Sequence, residues 1–500
     1  MPTNDALCQL PASDLLDAYR KRDVSPVEVT RAVLERIDRL NPKLNAYLYV
    51  DHEGAMSSAK AAEAAWMKPR PKPLLLGVPV SVKDLVPTAD MPTTFGSLAF
   101  KGHRPERDAP IVERLKAAGA VLLGKTNTPE FGLIGATRNR LGDEGRNPWD
   151  LGHTCGGSSG GAGAAVAAGL GPLAVSTDGA GSIRIPASFN GCYGIKPTFG
   201  RIPTHELTGA PWSSTLGPIS RTVRDAAYFL AATSGPHERD AICLEEYPPD
   251  FFARLSTPLS FSARLSTPLS FFARVSTPLS LMGEGPGVRV PRVALSFDLD
   301  GHATLEPEVA AALSDAADAL RDLGCEVVDA CPPVESGPDT TAMIPADEYA
   351  FDPDLYELHF DELTPYAQRT FKAGKEMEAW RYALIWRKRE RYRRAVARWF
   401  RDYDFFLSPT TAHPAGPAGG EVTQIAGTEV QPGWVIWYTA LWNRTGNPAA
   451  SIPAGFSSAG LPLAVQVVGR MGDEPGVLAV SAALEAARPW AGNWPAIATG

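Results

Sequence analysis

Cysteine is scarce in this chain: Cys8, Cys155, Cys192, Cys243, Cys325 and Cys331 are the six in 500 residues. No two form a C-x-x-C pair, which excludes a dense disulfide framework and leaves free thiols in a cytoplasmic protein as the reading. The eight histidines include no H-E-x-x-H, so no metal site is read. Long apolar runs are missing too. The longest small-apolar stretch, residues 161–175, falls short of the roughly 20 residues that cross a bilayer and reads as a buried helix entering a strand. Positive charge is not in excess: 48 basic against 56 acidic residues leave a net charge of −8. That balance argues against the clustered basic face of a nucleic-acid binder. The opening MPTNDALCQL has neither the basic start nor the apolar run of a signal peptide, so cytoplasmic localisation without membrane contact is expected.

What is present is a 44% hydrophobic composition, enough for a substantial core, and an alternation of helix and strand signals. SPVEVTRAVLERIDRL (25–40) opens with a capping serine, a proline at the first helical position and Glu28 to close a capping box; Val29, Val33, Ile37 and Leu40 then share one face. LLLGVPVSVKD (74–84) reads as a buried strand ending near Lys83. Residues 110–118 read as a helix and 120–123 as a strand, and Thr128-Pro129-Glu130 as a helix start. CGGSSGG (155–161) leads into a helix, the strand PLAVSTD and the turn GAGS. Further on, 291–301 reads as a strand, 303–323 and 374–402 as helical, and 445–469 as strands. The basic, aromatic stretch 380–400 reads as a packed helix with a solvated face. This alternation predicts an α/β fold. Residues 251–280 break the pattern with three near-identical decapeptides, FFARLSTPLS, FSARLSTPLS and FFARVSTPLS. A period of ten matches no repeat architecture, and a tandem duplication in a surface loop is the simplest reading, since loop closure grows costlier only slowly with length.

Two motif matches fail on physical grounds. Residues 119–126, GAVLLGKT, satisfy the Walker A pattern, but consecutive branched apolar residues belong in a buried strand and not in a phosphate cradle. Residues 156–160, GGSSG, satisfy the G-x-S-x-G nucleophile elbow, yet what precedes Ser158 is the polar loop RNPWDLGHTC and not a strand.

A better proposal joins three stretches. Ser182 closes the glycine-rich turn after LAVSTD, where several backbone N–H groups can converge as an oxyanion hole requires. Lys83 ends an apolar strand, where burial disfavours its charged form and lets it act as a base. CGGSSGG offers a hydroxyl to relay a proton between them, with glycines permitting unusual backbone geometry.

Taken together these stretches closely resemble the amidase signature family, in which G-G-S-S-G-G is followed 24 residues on by a serine in D-x-x-G-S-I-R-x-P. Ser158 and Ser182 have that spacing, and Asp178 and Pro186 fall in place. VSVKD around Lys83, GAVLLGKTNTPEF (119–131), CYGIKPTFGRIP (192–203), YDFFLSPTTAHP (403–414) and TGNPAASIPAG match as well. The resemblance covers nearly the whole chain except the decapeptides, and it accounts for GKTN as a routine family segment. It implies an α/β amidase signature fold, a central mixed, twisted sheet covered by helices on both faces, as one domain over 1–500 interrupted by a low-complexity insertion at 251–290.

By the same resemblance Ser182 is the nucleophile, Lys83 the base, and Ser158, carried by a non-proline cis peptide, the relay between them. Gly179, Ala180, Gly181 and Ser182 supply the oxyanion hole, Thr177 and Asp178 support it, and Gly132 lines the acyl side. Family members often carry glycine or isoleucine pairs where this chain has Gly179-Ala180, a departure that slightly narrows the pocket. Phe131, Trp437 and Tyr438 are expected among the substrate-binding aromatics. The implied reaction is hydrolysis of a carboxylic amide without metal or organic cofactor. The partner is a small-molecule amide, hydrophobic, aryl or cyclic, with carbamates (urethanes) within the class; a homodimer is one assembly this allows. The competing expectation is the glutamine-hydrolysing component of a tRNA-dependent amidotransferase, although such proteins look more like D-T-G-G-S-I-R-Q-P than the DGAGSIRIP found here.

Overall fold

The computed structural model describes residues 3–204, 212–255, 290–333, 342–431 and 433–499. The decapeptide repeats beyond residue 255 lie outside the described residues, and so does the proposed flanking stretch up to residue 289. In chain order the described strands are β1 (Tyr47–Val50), β2 (Pro79–Lys83), β3 (Val121–Thr126), β4 (Leu173–Asp178), β5 (Tyr193–Lys196), β6 (Thr215–Ser220), β7 (Arg292–Leu295), β8 (Glu326–Asp329), β9 (Phe405–Pro409), β10 (Gln424–Ile425), β11 (Thr428–Glu429), β12 (Ala449–Phe456) and β13 (Pro462–Gly469). Eleven of them form one sheet in the order β1-β3-β2-β4-β6-β5-β12-β13-β9-β7-β8, while β10 and β11 pair separately. The sheet is mixed: β3, β2 and β4 run parallel, as do β8, β7 and β9, and antiparallel pairs join these two parallel groups.

Helices cover both faces, and strand alternation shows why. In β4, Leu173 and Val175 enter a core shared with the helices Val223–Thr233 and Glu474–Ala487, through Val223, Phe229, Leu230, Val477 and Leu478. Ala174 points the other way, into a cluster with Ala162, Val166, Ile183 and Ala187 of the glycine- and alanine-rich segments that follow CGGSS and DGAGS. Small side chains on that face let the helices Gly160–Ala167 and Arg184–Asn190 lie close to the strands. Each fully buried branched side chain of the opposite layer contributes roughly 1.5–3 kcal/mol.

The expected helix at 25–40 runs Pro26–Leu44, with Ser25 Oγ accepting from Glu28 N and Glu28 accepting in return from Ser25 N. The rejected Walker match is β3, buried throughout. Its Lys125 donates to Val86 O at 2.7 Å and to Thr93 Oγ1 at 2.6 Å, contacts internal to the fold. The helix start at Thr128-Pro129-Glu130 amounts to a single 3-10 turn, Glu130–Gly132, because Phe131 and Gly132 both have positive φ. The basic helix is Ala379–Trp399, and its buried side is Ile385, Arg389, Tyr392 and Val396, a register that leaves Ala383 exposed. Among the described residues no helix is long and apolar enough to cross a membrane.

The capping box gives a direct check on this local reading. Ser25→Ala removes the side-chain acceptor for Glu28 N and should destabilise the protein by about 1 kcal/mol, measured as a shift in the urea midpoint at constant slope.

Candidate active site

Lys83 ends β2 and Thr177 lies near the end of its parallel neighbour β4, where Val82 pairs with Val175. The register therefore brings both side chains to the carboxyl ends of adjacent strands, the edge where open parallel sheets hold their ligands. Lys83 is wholly buried. Its Nζ lies 2.6 Å from Ser158 Oγ and 2.8 Å from Thr177 Oγ1, so two hydroxyls and no carboxylate are its hydrogen-bond partners. Burial pushes the ammonium well below the usual lysine range, against the opposing pull of the Asp178 carboxylate.

The peptide bond Gly157–Ser158 is cis. Gly157 presses against the backbone of residues 134–136: a Cβ there would sit 2.5 Å from Ala136 N, so no side chain fits. Ser159, expected only as a loop and helix-start residue, fastens the two serine loops together. Its N–H donates to Ser182 O at 3.2 Å and its Oγ to Thr177 O at 3.2 Å. Ser182 is partly exposed and lines a cavity of about 240 Å³ together with Ser158, Thr177, Gly179 and Ala180.

Asp178 organises the turn that carries Ser182. Its carboxylate accepts from Gly181 N (2.7 Å), Ile183 N (3.2 Å), Arg184 Nε (2.9 Å) and Nη2 (2.8 Å), and Asn443 Nδ2 (2.9 Å). Burial alone would raise this carboxyl, but the Arg184 guanidinium outweighs it and holds the group at about 2. The same network corrects one expectation. Gly181 N–H is spent on Asp178 and Gly181 does not line the cavity, so it is withdrawn from the oxyanion donors; Gly179, Ala180 and Ser182 remain at the cavity.

Gly132 and Phe131, expected at the substrate site, both line the cavity. Gly132 has φ +74°, and a Cβ would lie 2.8 Å from Leu85 Cδ1 and 3.1 Å from Ser158 Oγ. Phe131 packs edge-on against Phe371 at 5.6 Å. Glu130 anchors this turn: it accepts from Ser97 Oγ (2.6 Å), Thr364 N (2.7 Å) and Thr364 Oγ1 (2.6 Å), while Glu130 N donates to Tyr366 Oη (2.7 Å). The expected Trp437 and Tyr438 are not at the cavity. Ile436 is the residue of that segment that reaches it. Trp437 stacks flat on Trp434 at 4.5 Å, and Tyr438 is buried with its hydroxyl donating to Phe297 O at 2.6 Å. Their large apolar areas are satisfied by the core beside Phe406 and Trp442. The segment 344–370, which also lines the cavity through Ile344, Pro345, Glu348 and Thr370, carries no sequence signal that marks it out.

The structure thus gathers at one cavity a buried lysine, a serine in contact with it and a second serine on a braced turn. The amidase family model matches residues 28–260 and 287–478, and the chain belongs to that family, the amidase signature enzymes. It is an amidohydrolase acting on carbon–nitrogen bonds other than peptide bonds. It is 33% identical to an acylamidase of Rhodococcus erythropolis over 507 residues, covering 99% of this chain and 98% of the other. It is equally 33% identical to a glutamyl-tRNA(Gln) amidotransferase component from Roseiflexus sp. (strain RS-1), covering 98% of each. Among solved structures it is similar to a bacterial aryl acylamidase (TM-score 0.84, 28% identity, 98% of each chain). It is also similar to 6-aminohexanoate cyclic dimer hydrolase bound to substrate (TM-score 0.84, 30% identity, 98% of this chain and 99% of that one).

The Asp178–Arg184 pair is wholly buried on both sides. Asp178→Asn leaves the guanidinium without its counter-charge and should cost about 3–5 kcal/mol, read as a drop in denaturation midpoint. A loss below about 1 kcal/mol would contradict the weight given to this pair.

Proposed function

We propose that the protein hydrolyses hydrophobic amides, aryl or cyclic and extending to carbamates, through an acyl-enzyme on Ser182. The observation that carries this reading is the 2.6 Å contact of the buried Lys83 with Ser158. A neutral Lys83 accepts the Ser158 proton as Ser158 takes the proton of Ser182, whose Oγ bonds to the substrate carbonyl carbon. The N–H groups of Gly179, Ala180 and Ser182 are suited to receive the developing oxyanion. As the tetrahedral carbon collapses, the proton returns from Lys83 through Ser158 to the leaving nitrogen and the C–N bond breaks. Water, activated along the same path, then releases the acid and restores Ser182.

The apolar lining contributed by Leu85, Phe131, Leu133 and Ile134 favours a hydrophobic substrate, and the names of the acylamidase relatives point the same way. The similarity to amidotransferase components keeps a glutaminase as the second reading; glutamine-dependent ammonia release with co-purifying partner proteins would select it. Residues 251–290 are read as an insertion within one amidase domain, in keeping with the break in the family match between 260 and 287.

Aryl anilides, cyclic amides, linear amides and carbamates, assayed against glutamine, test the reading. Ser182→Ala should lose about 10⁴-fold or more, and Ser158→Ala about 10²- to 10⁴-fold with its melting curve retained. Undiminished turnover by Ser182→Ala would sink the nucleophile assignment. The pH profile tests the base. Lys83 accepts a proton only when neutral, and its pKa is depressed, so kcat/KM should rise with pH to a plateau reached well below the ordinary lysine value of about 10.4. Below that plateau the rate should fall about tenfold per pH unit. A flat profile down to the carboxylate range would remove Lys83 from this role.

A further inference from the structure

Besides the serine loops, Leu85, the turn at 131–135, Ser214 and Ile436, the cavity is walled by two helices, Ile344–Phe351 and Pro365–Lys375. They meet at Gly374, where any Cβ would collide with the Pro345 carbonyl oxygen, so the first helix is seated directly on the second. This seating presents Glu348 to the cavity at 4% exposure. Among the described residues Glu348 is the one carboxyl lining the cavity, and none of them donates a hydrogen bond to it or pairs with it. Its neighbour Asp347 is engaged elsewhere, accepting from Tyr382 Oη at 2.6 Å. Burial, with a further push from Asp347, lifts the Glu348 carboxyl to about 8.

Buried polar groups without partners are rare in folded proteins, because each costs the full desolvation of the group. Here the unpartnered carboxyl faces the space a substrate enters. We propose that Glu348 is a recognition site for a protonated amine on the substrate, remote from the scissile amide, which it binds through a charge-assisted hydrogen bond. The inference rests on the reading of this cavity as the amide site. An ammonium supplies what the carboxyl lacks, both donors and counter-charge. The fold has already excluded most of the water from the carboxyl, so the amine bears the larger share of desolvation on binding. On seating, Glu348 releases its proton to solvent and the ammonium keeps its own. Above about pH 8, where Glu348 is ionised, a substrate ending in carboxylate meets like charge there and is disfavoured.

The test uses full-length protein and two graded sets of amides, one extending the acyl chain and one the amine side, each ending in ammonium, hydroxyl, methyl or carboxylate. The readout is the ammonium-to-methyl ratio of kcat/KM within each protein, which does not depend on the folded fraction. In the wild type, assayed above about pH 8 so that Glu348 is ionised, this ratio should peak at about 10- to 100-fold at one chain length, with the carboxylate series below the methyl series. In Glu348→Gln it should fall to about one. Ratios near one at every length in both sets overturn the inference while leaving amide hydrolysis standing. So does a hydroxyl series equal to the ammonium series, or a preference retained in Glu348→Gln. If no member of either set is turned over, the amide-hydrolase reading fails and this inference falls with it.

Discussion

One buried carboxylate sets the geometry on which the active site depends. Asp178 ends a central strand and gathers two backbone N–H groups from the turn that follows, the fork of Arg184 and the amide of Asn443. Arg184 in turn reaches Thr439 O, Asn443 Oδ1 and Gln466 Oε1, the last on β13 in the antiparallel half of the sheet. A buried ion pair is tolerated only when its remaining donors and acceptors are satisfied, and this one is satisfied from three separate stretches of chain. The turn bearing Ser182 is therefore held from behind by groups that never face the cavity.

The two lysines on adjacent strands show how environment decides a residue's use. Lys83 has only hydroxyl partners, and burial outweighs the pull of the Asp178 carboxylate. Lys125, also buried, lies 3.6 Å from the Asp84 carboxylate and donates to a carbonyl and to Thr88 and Thr93; burial lowers it only to about 8. The first is arranged to give up its charge. The second keeps a counter-ion and ties the loop after β2 to β3.

Much of this is legible from residue order, and the remainder has identifiable reasons for being hidden. The capping box at Ser25, the strand ending at Lys83 and the strand–turn leading to Ser182 depend on local pattern, and they form as local pattern predicts. The family motif carries the positions of Ser158 and Ser182 and the cis bond before Ser158. Gly181 misleads because an N–H in a glycine turn looks free until the carboxylate three residues before it is seen to bind it. Trp437 and Tyr438 mislead because an aromatic cluster reads alike whether it lines a pocket or packs in a core; only the stacked Trp434 and the Phe297 carbonyl, distant in the chain, decide between them. Ser159 owes its place to Thr177 and Ser182, and Glu348 owes its burial to the seating of one helix on another at Gly374, and neither stands in a pattern that periodicity or spacing can flag.

The Glu130 anchor has a consequence beyond the turn it holds. It fastens the helical wall of residues 344–375 to the loop beside Ser158, yet none of its partners belongs to the path from Ser182 to Lys83. On the proposed reading the cavity thus has two sets of parts, a floor of serine loops for the proton path and a helical wall for the substrate. Substitutions in the wall can drift under selection for new amides while the floor is left intact. Such a division lets a single chemistry be inherited unchanged by enzymes with different diets.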